Sequence, residues 1–145
     1  MTLPPVSPGD AFAFYGLLKQ GADGMPAHIN LEAAGRFEGP AFIRANVFDL
    51  GGYPGVVPGD GLCRAMLWRV RDPAVIPDLD AFEDLDPADP DRSLYWRKLT
   101  PLLTATGQSV GETAQVYWYN RPITGQPRIE DGNWPLHRPS RWKTA

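Results

Sequence analysis

A chain of 145 residues with 43% hydrophobic and 21% charged positions can bury a substantial core and is most simply one domain. Its net charge of −3 argues against a general nucleic-acid binder, and no apolar run reaches membrane-spanning length. The start, Met1-Thr2-Leu3-Pro4-Pro5, lacks the basic and apolar regions of a signal peptide, so the cytoplasm is the expected compartment.

Residues 1–10 are proline-rich and polar and are expected to form a flexible or loosely laid N-terminal segment ahead of a single domain over 11–145. Ala11 to Leu18 is a short apolar and aromatic run that reads as a buried strand. Gly21, Gly24 and Pro26 make the next stretch a loop, and Ile29 to Ala34 suits a short helix. From Gly35 to Leu50 the pattern predicts two strands broken near Gly39-Pro40. Gly51 to Gly61 holds five glycines and two prolines and reads as a tight-turn segment. Leu62 to Val70 is another strand; it contains the single cysteine, Cys63, expected as a reduced core residue rather than a nucleophile. A helix is expected from Val75 to Asp86, followed by an acidic turn through Asp91. Leu94 to Thr104 and Thr113 to Tyr119 form a hairpin through Gly107 and Gly111.

From Arg121 to the end the chain is a proline-rich strap with five basic and two acidic residues, against nine and fifteen elsewhere. Docking of this strap on an acidic body is favoured over RNA contact, because the patch is small. Strands outnumber helices, so the expected fold class is α+β with a mainly antiparallel or mixed sheet, a small barrel flanked by helices being one form of it.

Glu83 is the residue that departs from its surroundings. On a helical wheel of about 100° per residue, Val75, Ile76, Leu79, Phe82 and Leu85 share an apolar arc, and Glu83 falls inside it. Asp80 and Asp84 fall outside, as solvent-facing acids should. A carboxylate in an apolar arc is costly to ionise, so its pKa rises and it becomes available for proton transfer. The alternative is a boundary glutamate that snorkels or pairs with a cation such as Arg97 or Lys98. Two further features bear on a site. Tyr15-Gly16-Leu17-Leu18 is a strand running into glycine, a turn that can leave successive backbone N–H groups pointing one way to hold an anion. Tyr117 and Tyr119 share one strand face, with Trp118 on the other, and suit either core packing or substrate contact. His28 and His137 are isolated, and neither a Ser-His-Asp arrangement nor a spaced set of zinc ligands is legible.

An ordered series of short motifs adds to this reading: Tyr15-Gly16-Leu17-Leu18, Tyr53-Pro54-Gly55, Gly61, Leu79-Asp80-Ala81-Phe82-Glu83, Tyr95-Trp96-Arg97, Ala114 to Tyr119, and Ile129 to Trp134. In this order and spacing, over roughly residues 11–134, the chain resembles the gamma-glutamylcyclotransferase-like superfamily, in its gamma-glutamylamine cyclotransferase or AIG2-like branch. The resemblance implies a small barrel with a cavity at one end, a Tyr-Gly-x-Leu turn whose backbone holds the substrate, and one acid/base glutamate. Glu83 matches that glutamate, Tyr15, Gly16, Leu17 and Leu18 match the turn, and Tyr119 is a further substrate-binding candidate. The implied reaction closes a gamma-glutamyl amide to 5-oxoproline and releases an amine. It needs neither metal nor cofactor, because the substrate carries its own nucleophile. The expected partner is a small gamma-glutamyl molecule, with no nucleic acid or membrane, and the chain acting as monomer or homodimer. A non-catalytic ligand-binding module, or a related lyase acting on another amide, are the competing readings. Asp84 stands where the family commonly has glycine, which puts the local turn geometry in question.

Overall fold

The computed structural model describes residues 2–20 and 27–135. Six strands and two short helices follow in order: β1 (Ala11–Phe14), α1 (Leu31–Ala34), β2 (Gly35–Asp49), β3 (Pro54–Val70), α2 (Ile76–Phe82), β4 (Tyr95–Leu103), β5 (Ser109–Tyr119) and β6 (Arg128–Ile129). They make one mixed sheet in the order β3-β1-β5-β4-β2-β6, with β2 also paired to β3. Only the β1–β5 contact is parallel; the other pairings are antiparallel. The α+β class with a mixed sheet is therefore as expected.

β1 explains why its sequence is apolar without interruption. Phe12 and Phe14 point into an aromatic core with Trp68, Leu79, Trp96 and Tyr117, while Ala11 and Ala13 point into a second core of small residues. A strand buried on both faces has no polar side to alternate with.

The long β2–β3 hairpin differs from expectation in two places. β2 is one strand rather than two: Gly39, with φ of 99°, absorbs the irregularity as a register shift between Phe37 and Gly39. β3 begins at Pro54, so most of the expected turn segment is strand. Its glycines serve close approach instead. A Cβ at Gly59 would lie 2.2 Å from Asn46 Nδ2, and the Gly61 N–H donates to Asn46 Oδ1 at 2.8 Å, beside a second register shift. The turn proper is Asp49 to Tyr53, where the Asp49 carboxylate accepts from the N–H of Gly51.

Helix α2 is also shorter than the sequence suggests. A 3₁₀ turn over Pro73–Val75 leads into it, and Glu83 is its C-cap. The Asp84 N–H donates to the Ala81 carbonyl and the Leu85 N–H to the Asp80 carbonyl, which is the Schellman arrangement. Asp84 takes the left-handed φ of 55° that this motif requires. Leu85 thus lies past the helix end and folds back into the aromatic core.

Both flanks of the domain are tied to it. The carbonyls of Pro4 and Pro5 accept from Arg97 Nη1 and Gln115 Nε2, so the N-terminal segment lies on the body instead of hanging free. In the strap, β6 pairs with β2, Trp134 is buried, and the Gly132 carbonyl accepts from the Arg64 N–H at 2.8 Å. His137, Trp142 and the basic residues after Pro135 lie outside the described residues. Gly132 has φ of 69°, and a Cβ there would meet the Leu62 carbonyl oxygen. Gly132→Ala should cost about 2 kcal/mol or more, read as a lower midpoint in urea unfolding. An unchanged midpoint would mean that the strap contributes nothing to stability.

Candidate functional site

β1 ends at Phe14, and the chain turns away from the sheet through Tyr15, Gly16, Leu17 and Leu18. Lys19 N–H donates to the Gly16 carbonyl and closes this turn. Glycine is required at position 16, since a Cβ would sit 2.6 Å from Pro54 Cγ. Among the described residues, no backbone or side-chain acceptor takes the N–H groups of Gly16, Leu17 or Leu18. Unpaired amides of this kind call for an acceptor from outside the chain, water or ligand. Lys19 itself turns inward, and its ammonium donates to the Trp134 carbonyl and to Asn133 Oδ1. Burial lowers its pKa to about 8.

This turn, the Tyr53-Pro54 step entering β3 and the C-terminal end of α2 enclose a cavity of about 350 Å³. Its wall holds Phe14, Tyr15, Gly16, Leu17 and Leu18 on one side and Phe82, Glu83 and Asp84 on the other, with Tyr53, Tyr95 and Tyr117 between. The Tyr15–Leu18 turn and Glu83, singled out separately in the sequence, therefore face one space. Tyr119 does not line it: its ring packs on Tyr95, with centroids 5.5 Å apart, and it shares the Tyr117 face as expected. Tyr53, Tyr95 and Phe82 are wall residues that no sequence pattern marked as such.

Glu83 is half-buried, since the cavity reaches it, but the protein around it withholds enough water to raise its pKa to about 8. Burial is the larger cause, and the Asp80 carboxylate adds to it. Neither Arg97 nor Lys98 pairs with Glu83. The Arg97 guanidinium is held by Asp80 instead, with Nε to Oδ1 and Nη2 to Oδ2 both at 3.0 Å. Both residues are buried, at 5% and 4% exposure, so Asp80 is not the solvent-facing acid that the wheel suggested. Leu85 had widened the apolar arc on the wrong side. Once it is assigned to the segment past the helix end, the arc centres on Ile76 and Leu79 and takes in Asp80. Tyr117 Oη donates to Asp80 Oδ1 at 2.6 Å, and Arg97 Nη1 to Gln115 Oε1 at 2.7 Å. The polar atoms of these buried side chains are all satisfied.

Three of the cavity tyrosines, Tyr15, Tyr95 and Tyr117, are held neutral. Tyr15 Oη donates to the Tyr117 carbonyl and Tyr95 Oη to the Pro54 carbonyl, each at 2.5 Å. Burial raises the pKa of Tyr15, Tyr95 and Tyr117, and the charge of Glu83 adds to the rise in each. What remains for chemistry is a carboxyl poised near neutral pH, in the same cavity as a turn whose three amides have no acceptor among the described residues.

Glu83 binds its proton more tightly in the folded chain than in the unfolded one. Its contribution to stability is therefore complete below about pH 4.5 and is lost as pH rises through about 8. Glu83→Gln should match the wild type in thermal midpoint at pH 5 and exceed it at pH 9. Equal midpoints at both values would mean that Glu83 titrates as an ordinary surface carboxylate.

The model of the family described as gamma-glutamyl cyclotransferase, AIG2-like, matches residues 12–136. A gamma-glutamylcyclotransferase family protein, YtfP, from Citrobacter rodentium is 34% identical over 88 residues, which are 61% of this chain and 65% of that one. The chain thus spans a little under two thirds of that relative. The solution structure of YtfP from Escherichia coli superposes with a TM-score of 0.58 at 29% identity, covering 86% of this chain and 95% of the other. A structure titled gamma-glutamyl cyclotransferase shares the fold at 14% identity, with a TM-score of 0.52 over 83% of this chain and 69% of its own. With the family model spanning all six strands and both walls of the cavity, the chain belongs to the gamma-glutamyl cyclotransferase, AIG2-like family.

Proposed function

We propose that the chain is a cyclotransferase that converts a gamma-glutamyl amide or peptide to 5-oxoproline and the free amine. The observation that carries this reading is the pairing, across one cavity, of an uncompensated Glu83 carboxyl with the unpartnered N–H groups of Gly16, Leu17 and Leu18. A gamma-glutamyl substrate holds its alpha-amine where it can close a five-membered ring on the gamma-carbonyl, so the attack is intramolecular. The alpha-ammonium group first gives up one proton to solvent, and the Glu83 carboxylate removes a second from the amine as its nitrogen bonds to the carbonyl carbon, leaving the single N–H of the lactam. The tetrahedral oxyanion, or the substrate's own carboxylate, lies against the amides of the turn. As the carbon–nitrogen bond to the leaving amine breaks, protonated Glu83 returns its proton to that amine, and the carboxylate is regenerated. A group with a pKa near 8 suits both halves of this exchange. The return of the strand pairings from β2 to β3 supports reading the sheet as the small barrel that the resemblance implies.

The test is incubation with a panel of gamma-glutamyl amines, dipeptides and glutathione, with 5-oxoproline read by mass spectrometry. Wild type should form product and Glu83→Gln should not, while both remain folded. Product from the variant at the wild-type rate would remove Glu83 from the mechanism. A ligand bound and recovered intact would instead mark a binding module, and a product other than 5-oxoproline a different amide chemistry. Because the base must be ionised, kcat/KM should rise with pH through about 8. Gly16→Ala, which pushes the turn against Pro54, should lower kcat/KM by at least about tenfold; activity within twofold of wild type would show that the turn does not hold substrate.

A further inference from the structure

We propose that Tyr117 is a positioning residue that couples the two halves of the site, fastening the helix that carries Glu83 and the turn that carries Gly16 to one point on β5. The proposal rests on the roles assigned above to Glu83 and to the turn.

Tyr117 uses both of its polar groups in opposite directions. Its hydroxyl donates to Asp80 Oδ1 at 2.6 Å, and Asp80 lies one helical turn before Glu83 on α2. Its carbonyl accepts the Tyr15 hydroxyl at 2.5 Å, and Tyr15 opens the turn that presents the unpartnered amides. Its ring forms part of the cavity wall between them. A single strand residue thus touches both walls, and its own position is fixed in the ladder opposite Arg97 on β4.

The attachment matters because α2 has seven residues, too few to keep an orientation unaided. Ile76 and Leu79 anchor it by apolar packing, which tolerates rotation about the helix axis. The directional contacts made by its side chains are those of Asp80, a two-pronged bond from Arg97 and the third bond from Tyr117, while just past its end the Asp84 carbonyl accepts from the Leu94 N–H at 2.9 Å. The Asp84 bond holds the helix end in place, and the Tyr117 bond sets the rotation of the turn that precedes Glu83.

The same bond bears on the proton. The titratable groups acting on Glu83 are Asp80 on its own helix, Tyr15 at the end of β1, Tyr95 on β4 and Tyr117 on β5. Of these, Asp80 is the charge that raises Glu83, and the donors from Tyr117 and Arg97 offset that charge. Removing the Tyr117 hydroxyl leaves Asp80 less compensated and should push the Glu83 titration upward.

The experiment compares wild type with Tyr117→Phe, which deletes the hydroxyl and little else. The Glu83 carboxyl titration is followed by carbon-13 NMR of glutamate-labelled protein, and kcat and KM are measured with whichever gamma-glutamyl compound turns over. The expected result is a Glu83 midpoint moved upward by about 0.5–1 pH unit and kcat down about tenfold, with KM within about twofold. Tyr15→Phe, which cuts the other link, should instead raise KM. Should Tyr117→Phe fail to fold, Arg97→Lys keeps the charge, breaks the two-pronged bond and must move the midpoint in the same direction. A lower melting temperature with midpoint and kcat unchanged would make Tyr117 merely structural and overturn the proposal. The NMR readout stands apart from turnover: a shifted midpoint in a protein that cyclises nothing would retire the proposed reaction and keep the coupling. A Glu83 midpoint indifferent to Tyr117→Phe would overturn the coupling even in an active enzyme.

Discussion

The architecture of the cavity depends on one buried ion pair. Asp80 and Arg97 are withdrawn from water, and neither could be buried ionised without the other. Their geometry is two-pronged, and the remaining capacity of each is filled by Tyr117, Gln115 and the Pro4 carbonyl. In this way the pair joins α2, β4, β5 and the N-terminal segment at a single point. Replacing either partner would leave a lone buried charge, a loss on the order of 3–5 kcal/mol. A hydrophobic contact could hold α2 against the sheet as firmly, but it would not fix which side of the helix faces the cavity.

The location of that cavity follows from the way β1 leaves the sheet. Inside the sheet its N–H and C=O groups are paired and its side chains serve both cores. At Gly16 the backbone passes so close to Pro54 that only glycine fits. Pro54 has no N–H to offer, and its carbonyl is taken by Tyr95. The turn therefore leaves the ladder, and its residues line the cavity with their amides unclaimed by an acceptor among the described residues. Aromatic side chains fill much of the remaining wall and lower the local polarity, which raises the pKa of the half-buried Glu83 carboxyl.

The parts of this site that were legible in the sequence are those whose signal is local. An apolar run ending in Tyr-Gly is visible in a few residues, and a glutamate in an apolar helical arc is visible in one turn. Asp80 was not, because the wheel assumed a helix running to Asp86. The Schellman turn ends the helix four residues sooner, and its Asp84 in the left-handed region carries no unambiguous mark, as glycine would. By sequence Arg97 could pair with Glu83, and only the three-dimensional register of β4 against α2 shows that Asp80 takes it. The glycines of Gly55 to Gly61 mislead for the converse reason. Glycine signals a turn or a close approach equally well, and here Asn46 crossing the neighbouring strand makes it the second. Tyr119 has the right strand face but stands one ring too far, with Tyr95 between it and the space.

The one departure from the family pattern beside the candidate acid/base is absorbed by this same local geometry. A carboxylate in place of glycine after Glu83 threatens two things: the left-handed turn and the charge balance of its neighbour. Asp84 adopts the turn, which short polar residues tolerate better than others, and its two Schellman partners are in place. Its side chain is exposed, and the charge that raises Glu83 comes from Asp80. The distinction is one of solvent rather than of sequence distance, since water screens the adjacent carboxylate and the protein interior leaves unscreened the one a helical turn away. The proton affinity of Glu83 is therefore set first by the wall that keeps water from it and then by the Asp80 charge behind that wall, not by the exposed carboxylate that follows it in sequence.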